Sequence, residues 1–262
     1  MPRLFIFGLG YSAAHIAARF AADGWEVVST GRAGTLSFDD ESNVRLALAD
    51  SSHVLSSVPP GGESDDPVLA RYGEGLGGKW LGYLSSTGVY GDTRGAWVDE
   101  SAVTGSGRRT ARAECDREWL DRDARVFRLP GIYGPGRSAL DRVREGKAHR
   151  IDLPEQVFSR IHVEDIAAGV HAALDAPPGA YNLSDDLPAS QNAVIDEASR
   201  LLGMKPPPML TLEQANLSPM ARAFYSENRR VANGKAKRVL GWKPRYPTYR
   251  EGLAACRSAE AQ

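Results

Sequence analysis

Through the first half of the chain, short apolar runs alternate with segments of helical periodicity. RLFIF (3–7) reads as a buried strand, and SAAHIAARFAADG (12–24) as an alanine-rich helix closed by glycine. WEVVST (25–30), HVLSSV (53–58), KWLGYLSS (79–86) and ARVFRL (124–129) predict four further strands, the second of these running into Pro59-Pro60-Gly61-Gly62. Strands separated by helices imply right-handed crossovers and a parallel sheet covered on both faces. After about residue 130 the pattern loosens. Helices are predicted over 163–175 and 189–203 and a strand at AYNLS (180–184), with proline-rich connections (APPG, KPPPML, WKPRYPTY) between them. The fold class expected is α/β: a Rossmann-type doubly wound parallel sheet with a small C-terminal substrate lobe formed mainly from parts of 135–262.

The remaining bulk properties exclude more than they add. A chain of 262 residues suffices for one large domain with a real core, or for one with a smaller appendage. With 42% hydrophobic and 25% charged residues it has the balance of an ordinary globular protein. A net charge of −1 gives no reason to expect nucleic acid or a membrane surface as partner. Cys115 and Cys256 lie far apart without CxxC spacing, which argues against a disulfide framework or zinc ribbon and for a reducing cytoplasm. The apolar run in MPRLFIFGLG is too short for a secretory core, and no segment has the apolar length of a membrane span. His15, His53, His149, His162 and His171 show no metal-ligand spacing, and GxSxG is absent. The run RRVANGKAKRVLGWKPR (229–245) has seven basic residues and no acid, but lacks the aromatic platform of a nucleic-acid site; a solvated face is the simpler reading.

FGLGYSAAHIAARF changes the picture. Gly8, Gly10 and Ala13 fit G-x-G-x-x-G/A with a strand before and a helix after, the context a dinucleotide fingerprint requires. Gly8 allows the tight turn and Gly10 lets a pyrophosphate approach the backbone. Ala13 keeps the helix close to the sheet, and Tyr11 and Ser12 open the helix whose N-terminus faces the anion. The second strand ends VVSTGR, so Arg32 stands where an acidic residue would bind a ribose 2′-hydroxyl. An arginine suits a 2′-phosphate, which favours NADP(H) and leaves NAD(H) as the second choice. A solvated surface arginine is the competing reading. Asp39, in LSFDD, either lies near the adenine after a short third strand or caps a helix. The whole chain, 1–262, reads as a single NAD(P)-binding domain.

At this point the chain resembles the short-chain dehydrogenase/reductase superfamily in its extended and atypical branch, alongside the NAD-dependent epimerase/dehydratases. The resemblance rests on FGLGYSA, YLSSTGVYGD (83–92), FRLPGIYGPGR (127–137) and FSRIHVEDIAAGV (158–170), which occur in the family's order. It implies that Ser86, with Thr87 beside it, holds a substrate oxygen at the end of a central strand. Polar capping of the strand end is the alternative. Pro130, Gly131 and Ile132 would lie beside the nicotinamide, and Ser56, Ser57, Val58 and Pro59 would flank the ribose and pyrophosphate. Arg137, His162, Arg229 and Arg230 are the candidate substrate contacts. His162 resembles a position that braces the substrate lobe, and a satisfied structural histidine is the competing reading.

One departure stands out. The family places a tyrosine and a lysine four apart at the start of the helix after SSTGVYG, with a glutamate four further on. Aligning that glutamate to Glu114 puts Ser106 at the tyrosine position and Thr110 at the lysine position. A serine hydroxyl is far too weak an acid to replace a phenol whose pKa a lysine lowers from about 10. No tyrosine or lysine occurs from 91 to 132, so a shift of register supplies neither. Two readings follow. One is an NADP-dependent oxidoreductase or epimerase/dehydratase-like enzyme acting on a polar, sugar- or nucleotide-linked small molecule, its proton coming from Tyr90, Tyr133 or the substrate. The other is a non-catalytic NADP-binding sensor or regulatory protein. Family members dimerise through this helix, but its charge here (Arg108, Arg109, Arg112, Glu114, Asp116, Arg117, Glu118) leaves monomer and homodimer both open.

Overall fold

The computed structural model describes residues 1–61, 65–107 and 110–260, the side chains of Met220 and Ala221 excepted; Gly62, Arg108 and Arg109 lie outside the described residues. Its centre is a six-stranded parallel sheet. The strands are β1 (Arg3–Phe7), β2 (Glu26–Ser29), β3 (His53–Ser56), β4 (Trp80–Ser86), β5 (Arg125–Leu129) and β6 (Gly179–Asn182), in the spatial order β2-β1-β3-β4-β5-β6. The chain leaves β1 to β2 on one side and then returns to β3 on the other. That reversal opens a crevice at the carboxyl ends of β1 and β3.

Period-two alternation within the strands builds both faces. Leu4 and Ile6 of β1 point into one core, where Ala13, Ile16 and Phe20 of α1 (Tyr11–Ala22) meet Ile166, Ala167 and Val170 of the helix Val163–Ala172. Phe5 and Phe7 point the other way. They meet Val44 and Leu48 of α2 (Glu41–Ala49), Val68 and Tyr72 of α3 (Pro67–Tyr72), and the layer completed by Cys115 and Trp119 of α4 (Thr110–Leu120). The short third strand expected before Asp39 is reduced to one isolated bridge between Thr30 and Leu36. Nor does Asp39 cap the next helix. Asp40 accepts the Asn43 backbone N–H at 3.3 Å, while the Asp39 carboxylate projects outward to the Arg71 guanidinium.

The later half adds short parallel strand pairs, among them Gly131–Tyr133 with Arg160–His162 and Trp97–Val98 with Arg230–Val231. A separate apolar cluster joins the helices Ala139–Arg144, Gln191–Leu202 and Tyr249–Ala259 through Leu140, Val143, Ile195, Ala198, Leu253 and Cys256. Both cysteines are buried, and neither forms a disulfide among the described residues. No helix among the described residues is long and apolar enough to cross a membrane.

Candidate active site

The turn after β1 is held by the end of β2. Thr30 Oγ1 accepts the Gly8 N–H at 3.1 Å and Thr30 O accepts the Leu9 N–H at 2.8 Å. Gly8 has φ +83°, and a Cβ there would come 3.1 Å from Val58 Cγ2, so the position takes glycine on both conformational and steric grounds. Gly10 differs. A Cβ on it would meet nothing within 4 Å, and as the N-cap of α1 it offers no side chain to the first-turn N–H groups. Those donors face open space, which is the arrangement that receives a pyrophosphate. Nearby, the Ser56 hydroxyl is buried with no hydrogen-bond partner among the described residues. Arg32 is exposed just beyond β2 and enters no ion pair among them. Backbone donors, an unfilled cradle and an uncommitted guanidinium fit an NAD(P) molecule; Asp39 is tied to Arg71 and Pro59 is exposed, and neither lines the adjoining cleft.

Beside this cradle lies a cleft of about 520 Å3, to which Tyr11, Ser12, Ser57, Ser86, Thr87 and the segment Pro130–Ile132 all contribute. Ser86 Oγ accepts the Gly88 N–H at 3.1 Å at the start of a 3₁₀ turn, which leaves its proton for a ligand oxygen. The two phenols expected as proton donors are elsewhere. Tyr90 is buried under the cleft, donating to Asn182 Oδ1 at 2.8 Å and accepting from Arg128 Nη1 at 3.0 Å; burial pushes its phenol up. The Tyr133 hydroxyl is buried without a partner among the described residues, between Gly252 and the His162 ring. Burial raises its pKa far above the ordinary value as well. Neither phenol lines the cleft.

Other positions are redistributed. His162 lies away from the cleft. It caps the helix Val163–Ala172 through Nδ1, which accepts the Glu164 N–H at 3.3 Å, and its Nε2 lies 3.6 Å from Cys256 Sγ. Burial lowers its pKa to about 4, and it touches no part of the cleft. Arg229 does line the cleft, paired with Glu227 at 3.0 Å and bonded to the Gly91 carbonyl. Its neighbour Arg230 turns away to the Gly95 carbonyl, as alternation along a strand requires. Arg137 lies at the cleft edge, its guanidinium 5.5 Å from the centre of the Tyr11 ring.

Neither position reached by the alignment through Glu114 lines the cleft. Ser106 and Thr110 are exposed and absent from the cleft wall; Arg112 stands there instead. Arg112 Nη1 donates to Tyr83 Oη at 2.8 Å and to the Leu84 carbonyl at 3.3 Å, which fixes its charge beside the end of β4. Beneath it runs a buried network not expected from the sequence. Arg128 grips Asp116 with Nη2 at 2.7 Å and Nε at 3.0 Å, and Asp116 accepts from Ser85 Oγ at 2.6 Å. The clue was present: an arginine in a strand covered on both faces needs a buried partner. The remaining phenol on the cleft wall, among the described residues, is Tyr11. It donates to the Pro135 carbonyl at 3.1 Å, and burial pushes it up to about 12.

No protein-family model matches the chain. A solved structure of a functionally unknown conserved protein from Silicibacter pomeroyi DSS is similar at TM-score 0.87 and 39% identity, over 99% of both chains. The dTDP-glucose 4,6-dehydratase of Bacillus anthracis, solved with NAD, shares the fold at TM-score 0.77 and 13% identity over 100% of this chain and 97% of that one. A Streptomyces protein named 3-diazoavenalumate denitrifying reductase is 34% identical over 163 residues, 55% of this chain and 52% of its own length. The match thus spans about half of that reductase. Sheet order, glycine turn and these likenesses agree. The chain has a Rossmann-type fold, shared with both solved structures. At the corner between β4 and α4 a guanidinium lines the cleft, with a buried Asp–Arg pair beneath it.

Proposed function

We propose that the protein is a nicotinamide-dependent reductase, with NADP(H) preferred to NAD(H), that works without a phenolic acid. Gly8, Gly10 and the α1 N-terminus would hold the pyrophosphate and Arg32 the 2′-phosphate, while Ser57 and Pro130–Ile132 would flank the nicotinamide. When bound, that group supplies or accepts hydride. Ser86 donates a hydrogen bond to the acceptor oxygen, and the fixed charge of Arg112 stabilises negative charge as it develops there. A guanidinium has too high a pKa to surrender a proton, so the proton comes from the substrate or from water entering the open cleft.

The observation that carries this reading is the cleft wall itself, which sets serine and threonine hydroxyls and Arg112 beside the dinucleotide cradle, with no phenol except the raised Tyr11 among the described residues. A relative named as a reductase supports reduction over epimerisation. The test is a titration of NADPH and NADH by nucleotide fluorescence, followed by stopped-flow oxidation of NADPH with a carbonyl panel. Conjugated, electron-poor acceptors should oxidise NADPH, and Arg112→Ala should slow this about 10²-fold with the cofactor Kd unchanged. NADPH that binds tightly but is oxidised by no acceptor, in the wild type or any variant, replaces the reductase with the sensor.

A further inference from the structure

Past Arg137 the cleft opens into a second chamber of about 740 Å3. The two share Gly131, Ile132, Arg137, Phe158, Ser159 and Phe224, so a ligand in the second reaches the reacting end of the first. Its inner wall is apolar, built by Val194, Ile195, Tyr249 and Leu253. At its mouth the Phe158 ring stacks on Phe224 at 4.9 Å and meets Tyr225 edge-on at 5.6 Å.

The charges around this wall are uneven. Arg137, Arg142 and Arg160 all line the chamber, and none forms an ion pair with a described carboxylate. Arg160 spends Nη1 on the carbonyls of Phe158 and Ala189 and Nη2 on Gln191. Arg142 reaches the Lys147 carbonyl, and the Arg137 guanidinium, among the described residues, lies over the Tyr11 ring. The acids on the same wall are already engaged. Asp141 accepts from the Ser138 N–H and hydroxyl at 2.7 and 2.8 Å, and Glu145 pairs with Lys147 at 2.9 Å. Behind the wall, burial pushes the Asp185 carboxyl up to about 8 against the pull of the Arg160 charge.

We propose that this chamber binds an aromatic or conjugated carboxylate, its carboxylate held by the Arg137 fork and its flat body against Phe158, Phe224 and Tyr225. The proposal rests on the reductase reading only in naming the ligand a substrate. A nucleotide-linked sugar would set its hydroxyls against Val194, Ile195 and Leu253, and titration compares the two ligand classes directly. A single carboxylate on a planar apolar frame satisfies the guanidinium and buries the rest.

Calorimetric titration of the full chain, without cofactor, tests this with trans-cinnamate, cinnamyl alcohol and UDP-glucose. Cinnamate should bind at least about tenfold more tightly than the alcohol, and Arg137→Ala should remove about tenfold or more of the cinnamate affinity while leaving the alcohol unchanged. Arg137→Lys keeps the charge but not the fork and should fall between the two. Arg137 is exposed, so its loss does not threaten folding, and a thermal melt of each variant verifies that. UDP-glucose binding more tightly than cinnamate, absence of cinnamate binding, or a cinnamate affinity indifferent to Arg137→Ala each overturns the proposal. Cinnamate binding through Arg137 in a protein that takes up no NADPH would overturn the reductase reading and keep this one; tight NADPH binding without cinnamate does the reverse.

Discussion

The glycine turn after β1 and the corner between β4 and α4 meet across one cleft, yet they are built on different principles. At the turn the recognising groups are backbone N–H donors and missing Cβ atoms, and the side chains there only clear space. At the corner a chain of side chains fixes one another: Ser85 by Asp116, Asp116 by Arg128, Arg128 by Tyr90 and Arg112 by Tyr83. A backbone-made site needs only a strand, a turn and a helix, so it survives wide sequence change. A side-chain site is lost or rebuilt by a few substitutions. This explains how a chain can keep a dinucleotide cradle while the expected acid and its lysine are gone.

The sharpest way to break the comparison is to remove one member of the buried pair. Asp116 is 1% exposed and Arg128 3%, so Asp116→Ala leaves a guanidinium in the core without its counter-charge. Such a loss costs about 3–5 kcal/mol of stability, measurable by urea titration with the slope of the transition unchanged. Replacing both partners with apolar residues of similar volume should recover much of it. A cost below about 1 kcal/mol for Asp116→Ala means that the corner does not depend on its side-chain partners.

Next in size is a contact at the cradle that a side chain does supply. Arg32→Ala should weaken NADPH by about 1.5–3 kcal/mol and leave NADH nearly unchanged, since only the 2′-phosphate loses a charge-assisted bond. Stability should not move, because Arg32 is exposed and enters no ion pair among the described residues. Equal affinities of the wild type for the two cofactors end the NADP preference, and a tighter NADH reverses it.

These regions were also unequally legible in the sequence. The five strands of the first half were marked by short apolar runs and the cradle by glycines at fixed offsets, because backbone geometry constrains residue type directly. Asp39 misled, since LSFDD offers two acids and only the cap geometry separates them; Asp40 takes the helix and Asp39 takes Arg71. The start of α4 was harder. The stretch from Gly105 to Gly107 carries no periodicity from which the phase of the helix can be read, and the residue on the cleft wall is Arg112, not Thr110. Which of Arg229 and Arg230 faces the cleft depended on a two-residue strand too short to show its own alternation. Tyr90 and Tyr133 were chosen for their phenols, but whether a phenol meets solvent or core is set by tertiary packing.

Burial of charge in the later half gives a pH signature of about 1.4 kcal/mol per pH unit for each proton bound differently by the two states. Asp185, near 8 when folded and near 3.9 when unfolded, holds a proton that the unfolded chain releases between those values, so stability falls as pH rises through this window. His162 has the opposite sign. Folded near 4 and unfolded near 6.5, it makes stability rise with pH between them. Asp165, raised to about 6 by burial, adds to the Asp185 slope only below that pH. The His162 term therefore opposes Asp185 up to about pH 6.5, and from there to about 8 the Asp185 loss is exposed. Thermal melts from pH 6.5 to 8 should show a declining midpoint, and Asp185→Asn should flatten it. A decline of the same slope in Asp185→Asn assigns it to another group.

The smallest effect expected is the one that decides where the proton comes from. Tyr90→Phe removes a donor to Asn182 and an acceptor from Arg128, which should cost about 1–2 kcal/mol of stability. Tyr133→Phe deletes a buried hydroxyl that has no partner among the described residues, so its stability should hold or rise slightly. Neither change should alter the pH dependence of turnover on an acceptor that the wild type reduces. Tyr90 lies off both cavities and Tyr133 touches only the second chamber, and burial has raised both phenols away from the range in which they exchange protons. Stability and catalysis thus separate in this pair: Tyr90→Phe moves the first and not the second, and Tyr133→Phe moves neither by much. A basic or acidic limb of kcat that disappears with either substitution, in a variant whose melting point shows it folded, would return that tyrosine to the chemistry. It would also place the acid beneath the corner, inside the network of Asn182 and Arg128 or beside His162, and the contrast between a backbone-made cradle and an acid-free corner would then give way to an acid delivered from a different strand.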